Sequence, residues 1–506
     1  MTYNSRLWPT MTFPIPRGEE RYRQLLQLFE VARRMGQYGI RIDMRRVRWH
    51  LDQARARAEH FTRMFLDLTK LPPEALGDSG AGTTAAVRDY FWNELRAPHV
   101  SFHKRTKKPQ FNTASLIIYA TDFKGQPFSA PAAALYGIRK ARTAERFARA
   151  YLAVAEHEGG RIRFGFNPLG TKGERWSSSA SFRWKEVETG ETVSYSLNAQ
   201  NVPAKEPTFE FEKGISTKLS LSMRDCFIPD PGCVFLKADY DQLELRLIAY
   251  TAGAKKLIEW INSGKDTHME NARGMFLEGK IQPHEKKVKK PANKREEDLN
   301  KWREAAKPCA YAISYQAPSG NGKDKYPDLY KQLKQIFPEL PEAYVSVLVK
   351  RFFDLHPEIR AWQANTAEAL TQLGRIELKM TGAMLYLPDS SRGRNQALNF
   401  QMQSGGGALI NRAIINIDKH MSWQPGESAL LAMVHDEVDA QAPLWDVGRV
   451  KDIIDSEMGA PAQIGETWAG IPASADPGLH WGSCIELPKF FAPDGPADGF
   501  WGHGED

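Results

Sequence analysis

Apolar and polar positions along the chain follow two different periods. Apolar residues recur three or four positions apart, as on one face of a helix, in three N-terminal stretches: Leu25 to Val31, Met44 to Phe65 and Ile138 to Ala155. Helical patterns also fill most of residues 255–370, whereas residues 160–250 and 375–487 are rich in strand-like segments. The pattern predicts an α+β chain in which a helical block separates two strand-rich ones.

A shorter pattern predicts a β-hairpin within the first strand-rich stretch. Between Ser181 and Ser196, Thr, Val and Tyr alternate with polar residues, and Gly190 separates the two alternating runs. We therefore expect two paired strands there, directly after the serine pair Ser177 and Ser178.

Two apolar runs, far apart in the sequence, each end at an aspartate. The first reaches Asp239, and the second, from Leu431 to Val434, reaches Asp436. An aspartate at a strand end is more often a cap or turn residue, so neither run alone indicates catalysis. Two such carboxylates that converge in the fold can, however, bind a pair of Mg²⁺ ions about 3.5–4 Å apart for in-line phosphoryl transfer.

A stripe of cations and tyrosines lies between the two acidic segments. Arg303, Lys307, Tyr311 and Tyr315 recur at intervals of four, which places them along one face of a helix. Two cations suit the phosphates of a nucleoside triphosphate, and two rings suit its sugar and base. The alternative is an exposed basic helix whose tyrosines face the core.

The order of these three motifs resembles that of the family A DNA polymerases, the bacterial DNA polymerase I type. The motifs are Asp239-Tyr-x-Gln-x-Glu244, the stripe from Arg303 to Tyr315, and His435-Asp-Glu437. Other segments resemble further elements of the family in the expected order: Gly39-Ile-Arg-Ile-Asp43, Gly173-Glu-Arg-Trp-Ser-Ser178, Asn198-Ala-Gln-Asn-Val-Pro203, Arg224-Asp-Cys-Phe-Ile-Pro229, Asp266-Thr-His268, Tyr386-Leu-Pro-Asp389 and Asn399-Phe-Gln-Met-Gln403. The likeness runs from about residue 25 to about residue 487.

The resemblance implies a right-hand polymerase fold, with an antiparallel-sheet palm, helical fingers and a helical thumb that grips duplex phosphates. The expected divisions are an N-terminal segment (1–24), the thumb and N-terminal polymerase region (25–160), a first part of the palm (161–254), the fingers (255–373), a second part of the palm (374–486) and a flexible C-terminal tail (487–506). Too few residues precede Gly39 for the family's 3′–5′ exonuclease domain. We expect no proofreading by this chain, or proofreading by a separate polypeptide, so a separate 3′–5′ exonuclease or a replication accessory protein is an expected further partner. The small size suits a phage or mobile element.

The resemblance also implies a catalytic centre. Asp239, Asp436 and the backbone carbonyl of Tyr240 would bind two Mg²⁺ ions, for which Mn²⁺ is the expected substitute. Glu437 would support catalysis beside these ligands. Lys307 is a candidate proton donor to the leaving pyrophosphate, although a lysine that binds phosphate need not act as an acid.

The residues expected to bind the incoming nucleotide come from two motifs and from the Asp-Thr-His segment: Arg303, Lys307, Tyr311, Tyr315, Glu244, Gln242 and His268. In the family, the position of Glu244 blocks a ribose 2′-hydroxyl beside the tyrosine matched by Tyr315, which favours deoxynucleotides. Family members with tyrosine at the position of Tyr311 tend to accept dideoxynucleotides, so we expect ready dideoxy incorporation.

A further set matches family residues near the primer end, mostly in the minor groove: Arg175, Asn399, Gln403 and His435. Minor-groove acceptors are present at every correct base pair, so donors there sense pair geometry without reading sequence. The alternative for each of these residues is a packed polar side chain.

Several positions depart from the family pattern. Pro308 follows Lys307. It predicts that the helix either kinks at Pro308 or begins there. Asp241 replaces the family's usual serine and adds negative charge beside the metal site. Gln316 and Ser404 stand where the family usually has glycine, which predicts altered local geometry.

Composition supports these expectations without deciding them. The chain has 506 residues and a formal net charge of +7, which suits a polyanionic partner. Its four cysteines form no Cys-x-x-Cys pair, so neither a zinc site nor a disulfide framework is predicted. The sequence lacks a membrane-length apolar run and a signal-peptide pattern. We expect a cytoplasmic monomer (in the host cytoplasm if viral) that works on primer–template DNA and dNTPs.

Two other classes of protein stay open. One is a template-dependent RNA polymerase, which shares the overall plan but lacks a glutamate at the position of Glu244. The other is a non-catalytic DNA-binding relative, against which the intact Asp239, Asp436, Arg303 and Lys307 argue.

Overall fold

The computed structural model describes most of the chain. The described residues are 15–77, 84–103, 106–171, 173, 175–185, 190–203, 222–276, 281–282, 285–288, 291–315, 326–337 and 339–491. The α-helices are α1 (Ile15–Tyr38), α2 (Met44–Thr69), α3 (Ala85–Asp89), α4 (Thr113–Thr121), α5 (Ser129–His157), α6 (Leu243–Ala252), α7 (Lys255–Asn262), α8 (Thr267–Met275), α9 (Lys294–Tyr315), α10 (Pro327–Ile336), α11 (Glu342–Leu355), α12 (Pro357–Leu373), α13 (Ser391–Asp418), α14 (Val447–Gly459) and α15 (Leu487–Phe490). The strands are β1 (Ile40–Ile42), β2 (Arg161–Ile162), β3 (Phe166–Asn167), β4 (Ser177–Ser178), β5 (Ala180–Lys185), β6 (Thr192–Leu197), β7 (Phe227–Ile228), β8 (Cys233–Tyr240), β9 (Arg375–Leu378), β10 (Ala383–Tyr386), β11 (Ala429–Val434), β12 (Glu437–Pro443), β13 (Ala462–Ile464), β14 (Thr467–Ala469) and β15 (Ala473–Gly478).

The three predicted N-terminal helices are confirmed as parts of α1, α2 and α5. α2 begins at the Asp43 cap, whose carboxylate accepts hydrogen bonds from the backbone N–H groups of Arg45 and Arg46. α2 and α5 pack along each other, and Gly137 makes the close approach possible. A Cβ atom at Gly137 would lie 2.6 Å from the Phe61 ring, so a larger residue would push the helices apart.

α1 packs differently from the other N-terminal helices. Leu28, Val31, Ala32 and Met35 form an apolar stripe at helical spacing and belong to the same core as the main sheet. The helix contacts α13, β3 and β11. Although the predicted boundaries assign most of α1 to the thumb, its apolar face therefore lies on the sheet that carries the acidic motifs.

The main sheet is antiparallel and has the strand order β11-β12-β8-β15. Residues that pair directly across antiparallel strands share a face of the sheet. One face carries buried apolar residues and packs on the large core: Val234, Leu236, Ala238, Val438, Ala440 and Ala475. The other face carries polar residues of three strands: Lys237, Asp239, Glu437, Asp439, Ser474 and Asp476.

The predicted hairpin is confirmed. β5 and β6 pair in antiparallel register, with Ser181 opposite Ser196. Its half-buried face consists of aromatic and apolar residues, and Trp184 stacks on His157 of α5 with ring centroids 4.3 Å apart. Residues 186–189 lie outside the described part of the chain.

α9 continues through Pro308. One of the two alternatives that the sequence raised, a helix beginning at Pro308, is wrong, because α9 runs from Lys294 to Tyr315. An internal proline costs a helix about 3 kcal/mol through the missing N–H and a steric clash. Residues on either side of it, among them Ala306 and Cys309, are fully buried against the neighbouring helices, and this packing offsets the cost.

The predicted C-terminal tail is wrong in its first residues. Leu487 to Phe490 form α15, with Pro488 in its first turn, where a missing backbone N–H does no harm. Phe490 is fully buried in the large core, so this short helix is anchored rather than loose. Residues 492–506 lie outside the described part of the chain.

Candidate active site

The two aspartates that ended separate apolar runs come together at one edge of the main sheet. Asp239 lies near the end of β8 and pairs with Glu437, the first residue of β12. Asp436 precedes Glu437 in the two-residue turn between β11 and β12. The other turn residue, His435, is exposed and has φ of +60°, which is uncommon outside glycine. The hairpin turn thus places Asp436 beside Asp239.

The electrostatics of Asp239 show how close its acidic neighbours are. Partial burial and then the negative charges of Asp436 and Glu437 raise the pKa of Asp239 to about 6. The residue nevertheless keeps an exposed surface, so its carboxylate is accessible from the cleft. Concentrated negative charge at an accessible edge is what a divalent cation requires.

The donor set fits Mg²⁺ better than a metal held by protein alone. Among the described residues, no group of three or more His, Cys, Asp and Glu side chains is arranged to hold an ion. Mg²⁺ is commonly bound through one or two carboxylates, with waters and substrate phosphates as its other ligands. Asp239 and Asp436 supply two such carboxylates, which fits a site that a phosphate substrate completes.

Glu437 is already saturated by protein donors. Its carboxylate accepts a hydrogen bond from Arg224 at 3.0 Å and one from Trp481 Nε1 at 2.8 Å, and it forms an ion pair with Lys237 at 2.7 Å. The Arg224 guanidinium also lies over the Trp481 ring, 4.5 Å from its centroid. These contacts direct the Glu437 oxygens into the protein, which agrees with a supporting role and not with metal ligation.

Asp439 lies behind Glu437 on the same face of β12. It is completely buried, pairs with Lys237 across the sheet, and neither carboxylate oxygen has a hydrogen-bond partner. Burial and then the charge of Glu437 raise the pKa of Asp439 well above its usual range. The buried polar cluster formed by Arg224, Lys237, Glu437, Asp439 and Trp481 thus lies directly behind the paired aspartates.

The cations of the α9 stripe point to acidic partners. Arg303 Nε donates to Asp266 at 2.6 Å, and Arg303 Nη1 donates to Glu304 at 3.1 Å. Lys307 donates to the other oxygen of Glu304 at 3.2 Å. Asp266 also caps α8 by accepting from the Met269 N–H, so it holds Arg303 in a fixed position beside that helix.

His268 and Tyr311 lie between the cations and the aspartates. Their ring centroids are 6.2 Å apart. Burial, and then the charge of Arg303, lower the pKa of His268 to about 4, so its imidazole is neutral near pH 7. Burial and the charges of Glu244, Asp436 and Asp241 raise the pKa of Tyr311 to about 12. The tyrosine of α9 is thus within electrostatic reach of both acidic motifs.

Glu244 connects α6, α9 and the loop that carries Arg175. Arg175 Nη2 donates to Glu244 at 3.1 Å, a contact that sequence reasoning did not anticipate. The Tyr315 hydroxyl is buried without a hydrogen bond of ordinary geometry, yet burial and then the charge of Glu244 raise the pKa of Tyr315. We therefore describe Glu244 and Tyr315 as close neighbours rather than as a bonded pair.

The remaining predicted residues of the first acidic motif have structural partners. Gln242 precedes α6 with φ of +52°, and its side-chain oxygen accepts a hydrogen bond from Thr267 at 2.7 Å. This bond ties the start of α6 to the start of α8. Tyr240 ends β8 with a buried ring, and its backbone carbonyl remains a predicted metal ligand.

α13 carries the other residues expected near the primer end. Asn399 and Gln403 lie one turn apart and are half-buried. Gly173 fits directly against Gln403, because a Cβ atom there would lie 3.1 Å from the Gln403 Cβ. Ser404 is fully buried within the regular helix, so the family's usual glycine is not needed for the backbone there. Gln316, the other such position, lies outside the described residues.

Sequence reasoning did not identify several residues that shape the site: Asp266 as the partner of Arg303, Glu304 as the partner of both cations, and Arg224, Lys237 and Trp481 around Glu437. The spacing of Glu304 three residues before Lys307 was a usable signal, because such pairs meet on a helix. The partners of Glu437 are distant in sequence and carried no such signal.

A solved structure shares this architecture. The POL domain of Pol1 from M. smegmatis, in complex with DNA primer-template and dNTP, matches with a TM-score of 0.67 at 20% identity, over 91% of this chain and 70% of that one. The match establishes the fold class as a right-hand polymerase fold, with an antiparallel-sheet palm and helical fingers and thumb.

The curated relatives place the chain within one family of such proteins. DNA polymerase I, thermostable, of Thermus filiformis is 27% identical over 287 residues, which are 55% of this chain and 29% of that protein. DNA polymerase I of Borreliella burgdorferi is 24% identical over 312 residues, 60% of this chain and 30% of that protein. The chain thus matches less than a third of the length of these relatives. The model of DNA polymerase family A matches residues 82–476, and the chain belongs to that family.

Within the described residues, no helix is both long enough and apolar enough to cross a lipid bilayer.

Proposed function

We propose that this protein is a DNA-directed DNA polymerase that extends a primer 3′-end on a DNA template with deoxynucleoside triphosphates. The observation that carries the proposal is the pairing of Asp239 with Glu437, which sets Asp436 beside Asp239. The charge of Asp436 helps to raise the pKa of Tyr311, and Arg303 and Lys307 lie on the same helix as Tyr311. Both observations support one site in which carboxylates would hold metal and cations would hold phosphate.

The residues present fit the two Mg²⁺ ions that the family uses. Asp239 and Asp436 would hold them, with the backbone carbonyl of Tyr240 as a further ligand. When bound, such ions lower the pKa of the primer 3′-hydroxyl and neutralise charge on the triphosphate and departing pyrophosphate. The 3′-hydroxyl loses its proton to water and its oxygen bonds to the α-phosphorus. The bond between the α-phosphorus and the oxygen that bridges to the β-phosphorus breaks, and pyrophosphate leaves.

The chain's own residues position the nucleotide. Arg303 and Lys307 would bind its phosphates. Lys307 is also the candidate proton donor to the leaving pyrophosphate. His268 has a lowered pKa, so its imidazole is neutral near pH 7. At that pH it can donate one hydrogen bond to the nucleotide without adding positive charge. Tyr311 would pack on the sugar, where we expect it to permit dideoxynucleotides.

The contact between Glu244 and Tyr315 supports a preference for deoxyribose. A 2′-hydroxyl pressed between a carboxylate and a buried ring would lose its hydrogen bonds to water without regaining them. The bond from Arg175 fixes the carboxylate in that place until DNA arrives. Asn399, Gln403 and His435 would then contact the primer end. A role in phage or mobile-element replication stays a prediction from chain length.

Primer extension with Mg²⁺ tests the proposal. Asp436→Ala should lower the rate by a factor on the order of 10³ or more, because the variant loses half of the metal-binding carboxylates. Asp452→Ala, which changes an exposed aspartate of α14, is the matched control and should extend the primer like wild type. Equal extension by wild type and Asp436→Ala would end the proposal. Faster extension with rNTPs than with dNTPs would assign an RNA polymerase instead.

A further inference from the structure

One acidic residue occupies the predicted phosphate site. Glu304 lies between Arg303 and Lys307 on α9 and accepts a hydrogen bond from each, at 3.1 and 3.2 Å. With Asp266 on the other side of Arg303, two carboxylates balance the two cations. The site that would take a strongly anionic triphosphate therefore has no excess positive charge from these four side chains.

The two carboxylates are not equivalent. Asp266 also caps α8, and 33% of its side chain is exposed. Glu304 has no such second role among its described contacts, and 46% of its side chain is exposed. Partly exposed ion pairs are weak and readily exchanged for other partners. Glu304 is thus the group that must yield when phosphates arrive.

We propose that Glu304 competes with the incoming triphosphate for Arg303 and Lys307, and so sets the nucleotide concentration that the polymerase requires. This inference rests on the proposed function. Glu304 acts through Arg303 and Lys307 and is therefore a positioning residue, not a catalytic one. Because the competition is for phosphate-binding cations, it acts equally on dNTP and on pyrophosphate, whatever the base.

A purely structural role for Glu304 predicts a different kinetic result. As an i, i+3 partner of Lys307 it would only stabilise α9, and its loss would affect all kinetic constants together or none. Competition in the ground state instead changes KM and leaves kcat unchanged, since the interaction removed is the same before and during the reaction.

The test is steady-state single-nucleotide extension by wild type, Glu304→Gln and Glu304→Ala, with pyrophosphate as inhibitor. For both variants, KM for dNTP should fall by about 5–30-fold, since two charge-assisted bonds no longer oppose binding, and kcat should stay within about 2-fold. The inhibition constant of pyrophosphate should fall by a similar factor. The gain should shrink at high salt, which screens exposed charges. Glu297→Gln, an exposed glutamate in the first turn of α9, should change neither constant.

An unchanged or raised KM in both variants, while wild type extends primers normally, overturns this inference alone. The same holds if KM falls but inhibition by pyrophosphate does not, because competition for phosphate-binding cations affects both ligands. If wild type does not extend primers at all, the proposed function and this inference fall together.

Discussion

Two glutamates of this protein have nearly the same partners and opposite consequences. Glu437 on the main sheet and Glu304 on α9 each lie between an arginine and a lysine, at 3.0 and 2.7 Å and at 3.1 and 3.2 Å. The side chain of Glu437 is 10% exposed and that of Glu304 is 46% exposed. The two sets of ion pairs are alike in length, so burial, together with the additional bond from Trp481 to Glu437, separates the two.

Burial decides whether such a charge can exchange its partners. Around Glu437, removing one cation would leave a buried carboxylate with less compensation, which is destabilising. Around Glu304, water and salt screen the charges, so a substrate phosphate can replace the carboxylate at little cost. Buried charges therefore hold β8 and β12 in place, while exposed ones remain available to a ligand.

The largest expected effect is on activity at the exposed site. Lys307→Ala should lower kcat/KM for dNTP incorporation by about 10²–10³-fold, because one donor to the developing phosphate charge is lost. Its free energy of unfolding should change by less than about 1 kcal/mol, since the lost pair with Glu304 is exposed. Primer-extension kinetics check the expected loss of activity, and denaturant unfolding checks the expected small change in stability. A large loss of stability would show that Lys307 belongs with the buried charges.

At the buried cluster, the effect should be on stability. Arg224→Met should lower the free energy of unfolding by about 2–4 kcal/mol, because Glu437 and the Trp481 ring lose a desolvated partner. Lys350→Met is the matched control: its pair with Asp354 is 78% and 60% exposed, and its loss should cost less than about 0.5 kcal/mol. Equal stabilities of the two variants, measured by denaturant unfolding, would remove the distinction between buried and exposed pairs.

A smaller change tests how far Glu437 depends on each donor. Trp481→Phe keeps an aromatic ring but removes the N–H that donates to Glu437 at 2.8 Å. We expect a loss of about 1.5–3 kcal/mol, the range for a hydrogen bond to a charged group. Denaturant unfolding of Trp481→Phe and Arg224→Met, measured side by side, checks that Arg224→Met loses more stability. If Trp481→Phe is the more destabilising of the two, the indole N–H of Trp481 stabilises Glu437 more than the guanidinium of Arg224 does.

The smallest effect should be stabilising and pH-dependent. The pKa of Asp239 is raised to about 6, above its value in the unfolded chain, so folding favours the protonated carboxyl. The metal-free protein should therefore lose stability as the pH rises from about 4 to about 6. Asp239→Asn removes that loss and should raise the Tm in EDTA by about 1–3 °C at pH 7.5.

The advantage of Asp239→Asn should shrink as the pH falls toward 5, because the wild-type carboxyl then binds a proton. Asp452→Asn, at an exposed position of α14, should leave Tm unchanged at both pH values. A lower Tm for Asp239→Asn at pH 7.5 would show that the carboxylate is stabilised by neighbours other than Asp436 and Glu437.

Periodicity was sufficient for elements whose pattern is local. α2 and α5 follow from apolar residues at helical spacing, and the pairing of Ser181 with Ser196 follows from alternation around Gly190. Periodicity failed where burial overrode a local signal. Pro308 lies inside α9 because the helix is packed on both sides of it, and Phe490 anchors a segment that composition alone marks as a tail.

The sequence by itself determined the order of the motifs, and with it the family resemblance, the two aspartates at the ends of apolar runs and the cation–tyrosine stripe. These are statements about residue type and spacing, which one chain displays directly. Only the tertiary structure decided which charges are buried and which are exchangeable. In the sequence, Glu437 and Glu304 are both simply glutamates within or beside a motif. Their partners come from Arg224 and Trp481 in one case and from one turn of α9 in the other. Desolvation depends on everything packed around a side chain, and sequence spacing does not specify it.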